Sequence, residues 1–314
     1  MILPDNRYSF NTKKKRKKTL LLFFFAAILL IAGGIVLFNN YNSEKQIRLI
    51  NSEPTEDSLL DLWDKKKYDE IIQKCEEQLK KKPLDYQALS FTGFSYFYKG
   101  VAQFTIEEKY PMLDKAIIYL RKADMLQNEP FPGRIKYILG KTYFHKGKYF
   151  TDLSIKYIED SIKEGFIAED SYEYLGLAYI NLDLYQKGID YFLLAAENNP
   201  SDTLYLVLGQ SYYKTNNLNK AEEYLIWTLN STKDIILEQK SRMLLGKIYQ
   251  ETDKQLKAEE QYLKVLEINP KSADAYYYLG EIYESLRDRA KARFSWRKAL
   301  EIDPYHYGAR LKLY

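Results

Sequence analysis

Two kinds of hydrophobic pattern divide the chain. From Thr19 to Phe38 the sequence TLLLFFFAAILLIAGGIVLF runs for twenty residues without a charge. At about 1.5 Å rise per residue such a run reaches about 30 Å, the thickness of a bilayer's hydrocarbon core. After residues 39–55 (NNYNSEKQIRLINSEPT), which are polar and irregular and read as a linker, apolar positions recur at helical spacing between short polar turns. That pattern predicts a succession of amphipathic helices.

The helical part repeats itself. Gly-x-x-Tyr occurs at Gly93/Tyr96, Gly140/Tyr143, Gly176/Tyr179, Gly209/Tyr212, Gly246/Tyr249 and Gly280/Tyr283, and the last four spacings between these glycines are 36, 33, 37 and 34 residues. Gly280 is followed by Ala292, Trp296, Ala299 and Pro304, and Gly246 by Ala258, Tyr262, Val265 and Pro270 at identical offsets. Two antiparallel helices have too little surface to bury a core, so each pair must stack on the next. Glycine lets the first helix approach its partner at a cost in helix propensity. A small residue on one helix thus answers a large one on the other, and proline ends the unit.

This spacing places units at 133–168, 169–201, 202–238, 239–272 and 273–306. Two irregular units precede them. In 86–132 a first helix with Gly93 and Tyr96 is separated from a second (Ala116, Leu120, Ala123) by an insertion around Val101–Pro111. In 52–85 Leu59 and Leu62 replace Gly and Tyr, and only the second helix (Tyr68, Ile71, Cys75, ending at Pro83) keeps the spacing. That unit is either a repeat or a capping hairpin, since terminal units are atypical. The tail His306–Tyr314 reads as a short helix over the other end.

Together these offsets resemble the tetratricopeptide repeat family, a helix-turn-helix module of about 34 residues. The resemblance implies an all-α, right-handed solenoid of about six to seven repeats over 56–314, and the uncharged run reads as one transmembrane helix at 19–38 preceding it. In that family the first helices line a concave, protein-binding face. Carried over, the resemblance nominates Phe94, Phe97 and Tyr98, then Tyr137, Lys141, Phe144 and His145. Next come Leu177 and Ile180, followed by Leu206, Gln210 and Tyr213. Lys240, Met243 and Lys247, then Asp274, Tyr277 and Glu281, complete the set. The expected groove is aromatic near the membrane and mixed in charge at its far end, unless the 101–111 insertion or a shifted register covers the aromatic residues. The basic and asparagine residues with which some members clamp a C-terminal carboxylate are not found as a set.

Charge adds a location. Residues 1–18 hold seven basic side chains against Asp5, leaving 40 basic and 42 acidic residues for the rest. Basic residues flanking a first span stay on the cytoplasmic side. The expected arrangement is a basic cytoplasmic N-terminus (1–18), an uncleaved anchor and an extracytoplasmic solenoid, periplasmic in a bacterium with two membranes. The run ends Val36-Leu37-Phe38-Asn39-Asn40, without the small-residue site of a cleaved signal peptide. The body lacks the basic excess that would draw it to nucleic acid.

Catalytic and ligand-binding groups must stand at defined spacings. His145 and His306 cannot form a local two-histidine metal motif, and Cys75 falls on an apolar helical position. There is no phosphate-binding loop, dinucleotide fingerprint or nucleophile elbow. The sequence therefore suggests no catalytic, cofactor or metal site, and a non-enzymatic scaffold that binds a protein or peptide partner. The alternative is a structural or regulatory subunit of a larger membrane complex, with no free groove.

Overall fold

A computed structural model describes residues 58–126 and 133–313, which fall into two units, Met1–Lys67 and Tyr68–Tyr314. The run at 19–38 and the linker at 39–55 lie outside the described residues. Among the described residues no helix is long and apolar enough to cross a membrane, and there is no strand.

In the first unit, α1 (Leu59–Asp64) starts at Ser58, whose hydroxyl accepts from the Asp61 amide at 3.2 Å. In the second, α2 (Tyr68–Lys81) precedes six described helical pairs. These are α3 (Tyr86–Val101) with α4 (Ile106–Asp124), α5 (Arg134–His145) with α6 (Thr151–Lys163), and α7 (Ser171–Asn181) with α8 (Tyr185–Asn198). They continue as α9 (Asp202–Lys214) with α10 (Leu218–Ser231), α11 (Ile235–Glu251) with α12 (Gln255–Ile268), and α13 (Ala273–Ser285) with α14 (Arg289–Ile302). A short α15 (Tyr307–Leu313) follows. From α2 onward each helix packs on the next, and first helices also touch in succession, α3 on α5, α5 on α7, and α9 on α11.

The motif glycines set the separation within each pair. A Cβ at Gly176, Gly246 or Gly280 would lie 2.5, 2.5 or 2.2 Å from Phe192, Tyr262 or Trp296, closer than any side chain tolerates. The large partner stands sixteen residues after the glycine in these repeats and at Gly209/Leu225. The small-against-large pairing expected for Gly280 and Trp296 is thus realised.

The motif tyrosine works between repeats. In four of the six motifs its hydroxyl donates to a glutamate on the preceding second helix: Tyr96 to Glu76 at 3.0 Å, Tyr179 to Glu159 at 2.8 Å, Tyr249 to Glu222 at 2.9 Å and Tyr283 to Glu259 at 2.7 Å. In those four, Gly-x-x-Tyr therefore closes its own hairpin with the glycine and ties that hairpin to its predecessor with the tyrosine.

The turn inside each hairpin is equally regular. Seven residues after the glycine the backbone is left-handed at Gly147, Asp183, Asn216, Asp253 and Arg287. In the last four, the next residue's amide returns to the motif tyrosine's carbonyl at 2.7–3.0 Å. This is the double-bonded helix terminus that Gly, Asn and Asp reach most easily. The irregular unit at 52–85 follows the same rule locally: Lys66, seven residues after Leu59, has φ 55°, and the Lys67 amide bonds to Leu62 O at 2.9 Å.

The insertion in 86–132 is absorbed into the helices. Gly93 meets Leu120 across the pair and Gly100 meets Leu113, so the two helices run antiparallel with a seven-residue step on each. Gly100 stands where other repeats turn, yet it is helical, and the turn is deferred to 102–105. A step of two turns keeps one face in contact. Pro111 is accommodated inside α4 at the loss of one helical hydrogen bond.

Candidate functional site

The aromatic end of the expected groove is filled by the protein itself. Phe94, Phe97 and Tyr137 are buried, with 6, 1 and 7% of their surface exposed. Tyr98 stacks on Tyr68 at 5.7 Å. Phe97, Phe144, His145 and Tyr174 interlock, with Phe144 edge-on to Tyr174 at 5.1 Å and Phe97 6.1 Å from the His145 ring. Lys141 is enclosed as well: its ammonium contacts Asp170 at 2.8 Å, donates to the Tyr137 hydroxyl at 3.0 Å and sits 4.6 Å from the Tyr174 ring. Tyr137 also donates to Asp170. Burial, reinforced by Lys109 and Lys141, pushes the His145 pKa down to about 4, so its ring is neutral at pH 7, with Nε2 3.0 Å from the Tyr174 hydroxyl. These residues use their polar and aromatic capacity on one another.

The far end is occupied too. Asp274 meets His306 Nε2 at 3.1 Å, the Tyr277 ring lies 5.0 Å from His306 and against Gly308, and Lys312 reaches Glu281 at 3.1 Å. The His306 Nδ1 accepts from the Ala309 amide at 3.1 Å, so the Nε2–H is the donor to Asp274. The short C-terminal helix expected from the tail is present and takes over side chains nominated for a partner.

Between the two ends lies an open concavity of about 810 Å³ walled by α7, α9, α11 and the start of α13. Its apolar part comes from Leu177 and Ile180 on α7, Val207 and Tyr213 on α9, and Met243 and Leu244 on α11. Tyr213 is fixed by donating to Glu251, and burial followed by that glutamate raises its pKa to about 12. Gln210, Lys214, Lys240 and Lys247 form the polar part. Lys247 has its ammonium 4.9 Å from the Tyr278 ring, whereas exposed Lys214 and Lys240 make no ion pair among the described residues. The one acid in the wall, Asp274, already has His306 as partner. The concavity is therefore an apolar trough with an excess of positive charge, three lysines against one carboxylate.

Of the nominated residues, Leu177, Ile180, Gln210, Tyr213, Lys240, Met243, Lys247 and Asp274 meet in this wall, and Leu206 instead is buried in the core. Val207, Leu244, Ile236 and Lys214 escaped the sequence reading. Lys214 was findable, four residues after Gln210 on one helical face, but Val207 beside Leu206 was not, because both are apolar and periodicity cannot say which faces the core. Cys75 is buried, and burial pushes its thiol up to about 12, far from the thiolate a nucleophile needs. Among the described residues no group of three or more His, Cys, Asp or Glu is placed to hold a metal ion.

Comparison with known proteins bears on the fold. A family model described as "Tetratricopeptide repeat" matches residues 273–306, another of that description matches 170–202 and 203–226, and one described as "TPR repeat" matches 245–286. No curated protein matches the sequence. Among solved structures, the C-terminal part of a TPR repeat-containing protein from Cytophaga hutchinsonii is similar at TM-score 0.63 and 19% identity, over 81% of this chain and 97% of that one. PilF of Pseudomonas aeruginosa is similar at TM-score 0.51 and 12% identity, over 70% of this chain and 96% of that one. At such identities the likeness is one of fold. Residues 170–226 and 245–306 are tetratricopeptide repeats, and the chain from Tyr68 onward folds as an all-α tetratricopeptide solenoid.

Proposed function

We propose that the protein is a non-enzymatic scaffold that holds a segment of a partner protein on the concave wall of α7, α9 and α11. The observation that carries this reading is the trough itself: an opening of about 810 Å³ in a solenoid that fills the wall on both sides of it with its own side chains. Exposed apolar surface in a concave, preformed site is what a docking segment buries, and Tyr213 is fixed in place before any partner arrives. The excess of lysines favours a segment that combines apolar side chains with carboxylates.

The reading places the scaffold at a membrane, with 19–38 as anchor, the basic N-terminus in the cytoplasm and the solenoid outside it. Its support is the length of the uncharged run and the basic residues that precede it. Secretion, envelope assembly and quality control are the settings that suit such an anchored receptor. The brace reading draws on the filled ends of the wall, which act structurally.

Photocrosslinking in intact cells tests the proposal. A photoreactive residue at Gln210 or Met243 should crosslink a discrete partner, and one at Trp227, partly exposed on second helix α10, should not. Equal crosslinking from Trp227, or none from Gln210 and Met243, would transfer the lead to the brace. Protease protection of the solenoid in intact cells checks the topology separately, and digestion from the cytosolic side alone would reject it.

A further inference from the structure

Arginine is distributed unevenly. Five of the eleven arginines, Arg287, Arg289, Arg293, Arg297 and Arg310, lie in the last repeat and α15. Residues 287–314 carry eight basic and three acidic side chains, against 32 basic and 39 acidic over 19–286. All five arginines are exposed, and none makes an ion pair among the described residues.

The nearby acids are taken by lysines. Lys291 pairs with Asp288 at 3.6 Å, Lys298 with Glu301 at 2.6 Å, and Lys312 with Glu281 at 3.1 Å and also with Glu284. Internal pairing at this end is thus done by one kind of cation while the other is left over. Lysine would serve solubility alone. Arginine differs in presenting a planar fork that grips a carboxylate with two parallel bonds and loses little freedom in doing so.

The leftover charges are ordered. Arg289, Arg293 and Arg297 follow at four-residue intervals on α14, so they share a face at steps of about 6 Å. A concavity of about 690 Å³ opens beside Arg287, Arg289, Arg293 and Trp296, where Glu284 is held by Lys312, and another of about 520 Å³ beside Arg293, Arg297, Leu300 and Leu313, where Glu301 is held by Lys298. Phe294, 57% exposed, adds apolar surface to the stretch. Since α14 is a second helix, this face is separate from the concave wall of first helices.

The size and surroundings of the patch select its ligand. A membrane surface or a nucleic acid longer than the patch would meet the acidic excess of the preceding repeats. A short acidic segment would not. Phosphate groups alone would also leave the apolar parts of the two concavities uncovered, whereas a peptide can place apolar residues between its carboxylates.

We propose that the arginine face of α14 is a second docking surface, for a short acidic segment of a partner protein with carboxylates about one helical turn apart and apolar side chains between them. This surface is independent of the concave site.

The full-length protein in detergent micelles is titrated, by fluorescence anisotropy, against a labelled helical peptide with Glu at every fourth position and Leu between. The Glu peptide should bind more tightly than its Gln counterpart, and the R289E/R293E/R297E variant should weaken it by more than about tenfold and flatten its salt dependence. The R289Q/R293Q/R297Q variant, which removes the attraction without adding repulsion, should follow. A Met243→Glu variant in the concave wall should leave this binding unchanged. Circular dichroism of the arginine variants should match the parent, because those side chains are exposed, and Met243→Glu serves as the control with its helicity shown to be unchanged. The proposal is overturned if the Gln peptide binds equally, if the glutamine variant binds as the parent does, or if Met243→Glu abolishes binding. It is also overturned if polyphosphate or phosphatidylglycerol vesicles displace the peptide by binding the same arginines more tightly, which would assign the face to phosphate.

Discussion

The wall of first helices has two contrasting stretches. Around α3 and α5 its aromatic side chains interlock, with Phe97 1% exposed and Lys141 held by Asp170 and surrounded by rings. Around α7, α9 and α11 the wall is open, with a trough of about 810 Å³ and two lysines without an ion pair. The same helical architecture yields core at one place and surface at the other. The difference lies in side-chain size at equivalent positions, since bulky rings bridge neighbouring first helices where Leu177, Val207 and Gln210 do not. Aromatic content on a concave face is therefore a poor guide to binding when rings are numerous enough to bury one another.

Truncation should separate the two stretches most sharply. Phe97→Ala removes a fully packed ring and is expected to cost about 3–5 kcal/mol. Ile180→Ala or Met243→Ala, in the partly exposed trough, should cost less than about 1.5 kcal/mol while weakening partner capture. Denaturant unfolding of the variants measures this, and the contrast collapses if Met243→Ala proves as damaging as Phe97→Ala.

A smaller effect is expected from Gly140→Val, because a Cβ there meets Ile158 at 2.4 Å and the Ser154 carbonyl at 3.0 Å. Overpacking of this kind costs about 1–3 kcal/mol and should lower Tm without touching the trough. Tyr249→Phe deletes the bond to Glu222 between repeats, and about 1 kcal/mol should be lost. A thermal shift no larger than that of an exposed control would show that the tyrosine hydroxyls do not tie repeats together.

The pH response should be the mildest test of the filled end. His145 falls from 6.5 to about 4 in the fold, so the unfolded chain binds the proton more readily. Its contribution to stability is complete above pH 6.5 and is lost as pH falls toward about 4. Replacing it by Gln should flatten the stability profile across that window. A parent profile already flat there would mean that the ring is accessible to solvent, and the filled end more open than its packing indicates.

The repeat was legible because its signals are local. Gly-x-x-Tyr, the large residue sixteen positions after the glycine and the closing proline lie within one hairpin, so spacing alone placed the unit at 273–306, the span that the repeat family also matches. The tie between Tyr249 and Glu222 was not legible, because it joins residues of different repeats with no fixed separation. Tyr96 and Tyr179 reach back twenty residues, but Tyr283 reaches back twenty-four and Tyr249 twenty-seven.

By itself the sequence determined the all-α repeat, the register of glycine against large side chain, and eight of the residues that meet in the open wall. Only the tertiary structure decided which nominated residues were free. Phe94, Phe97 and Tyr137 are enclosed by neighbouring repeats, and Asp274, Tyr277 and Glu281 are engaged by α15. The physical reason is that periodicity reports which face of a helix is apolar, whereas exposure depends on what another helix places against that face.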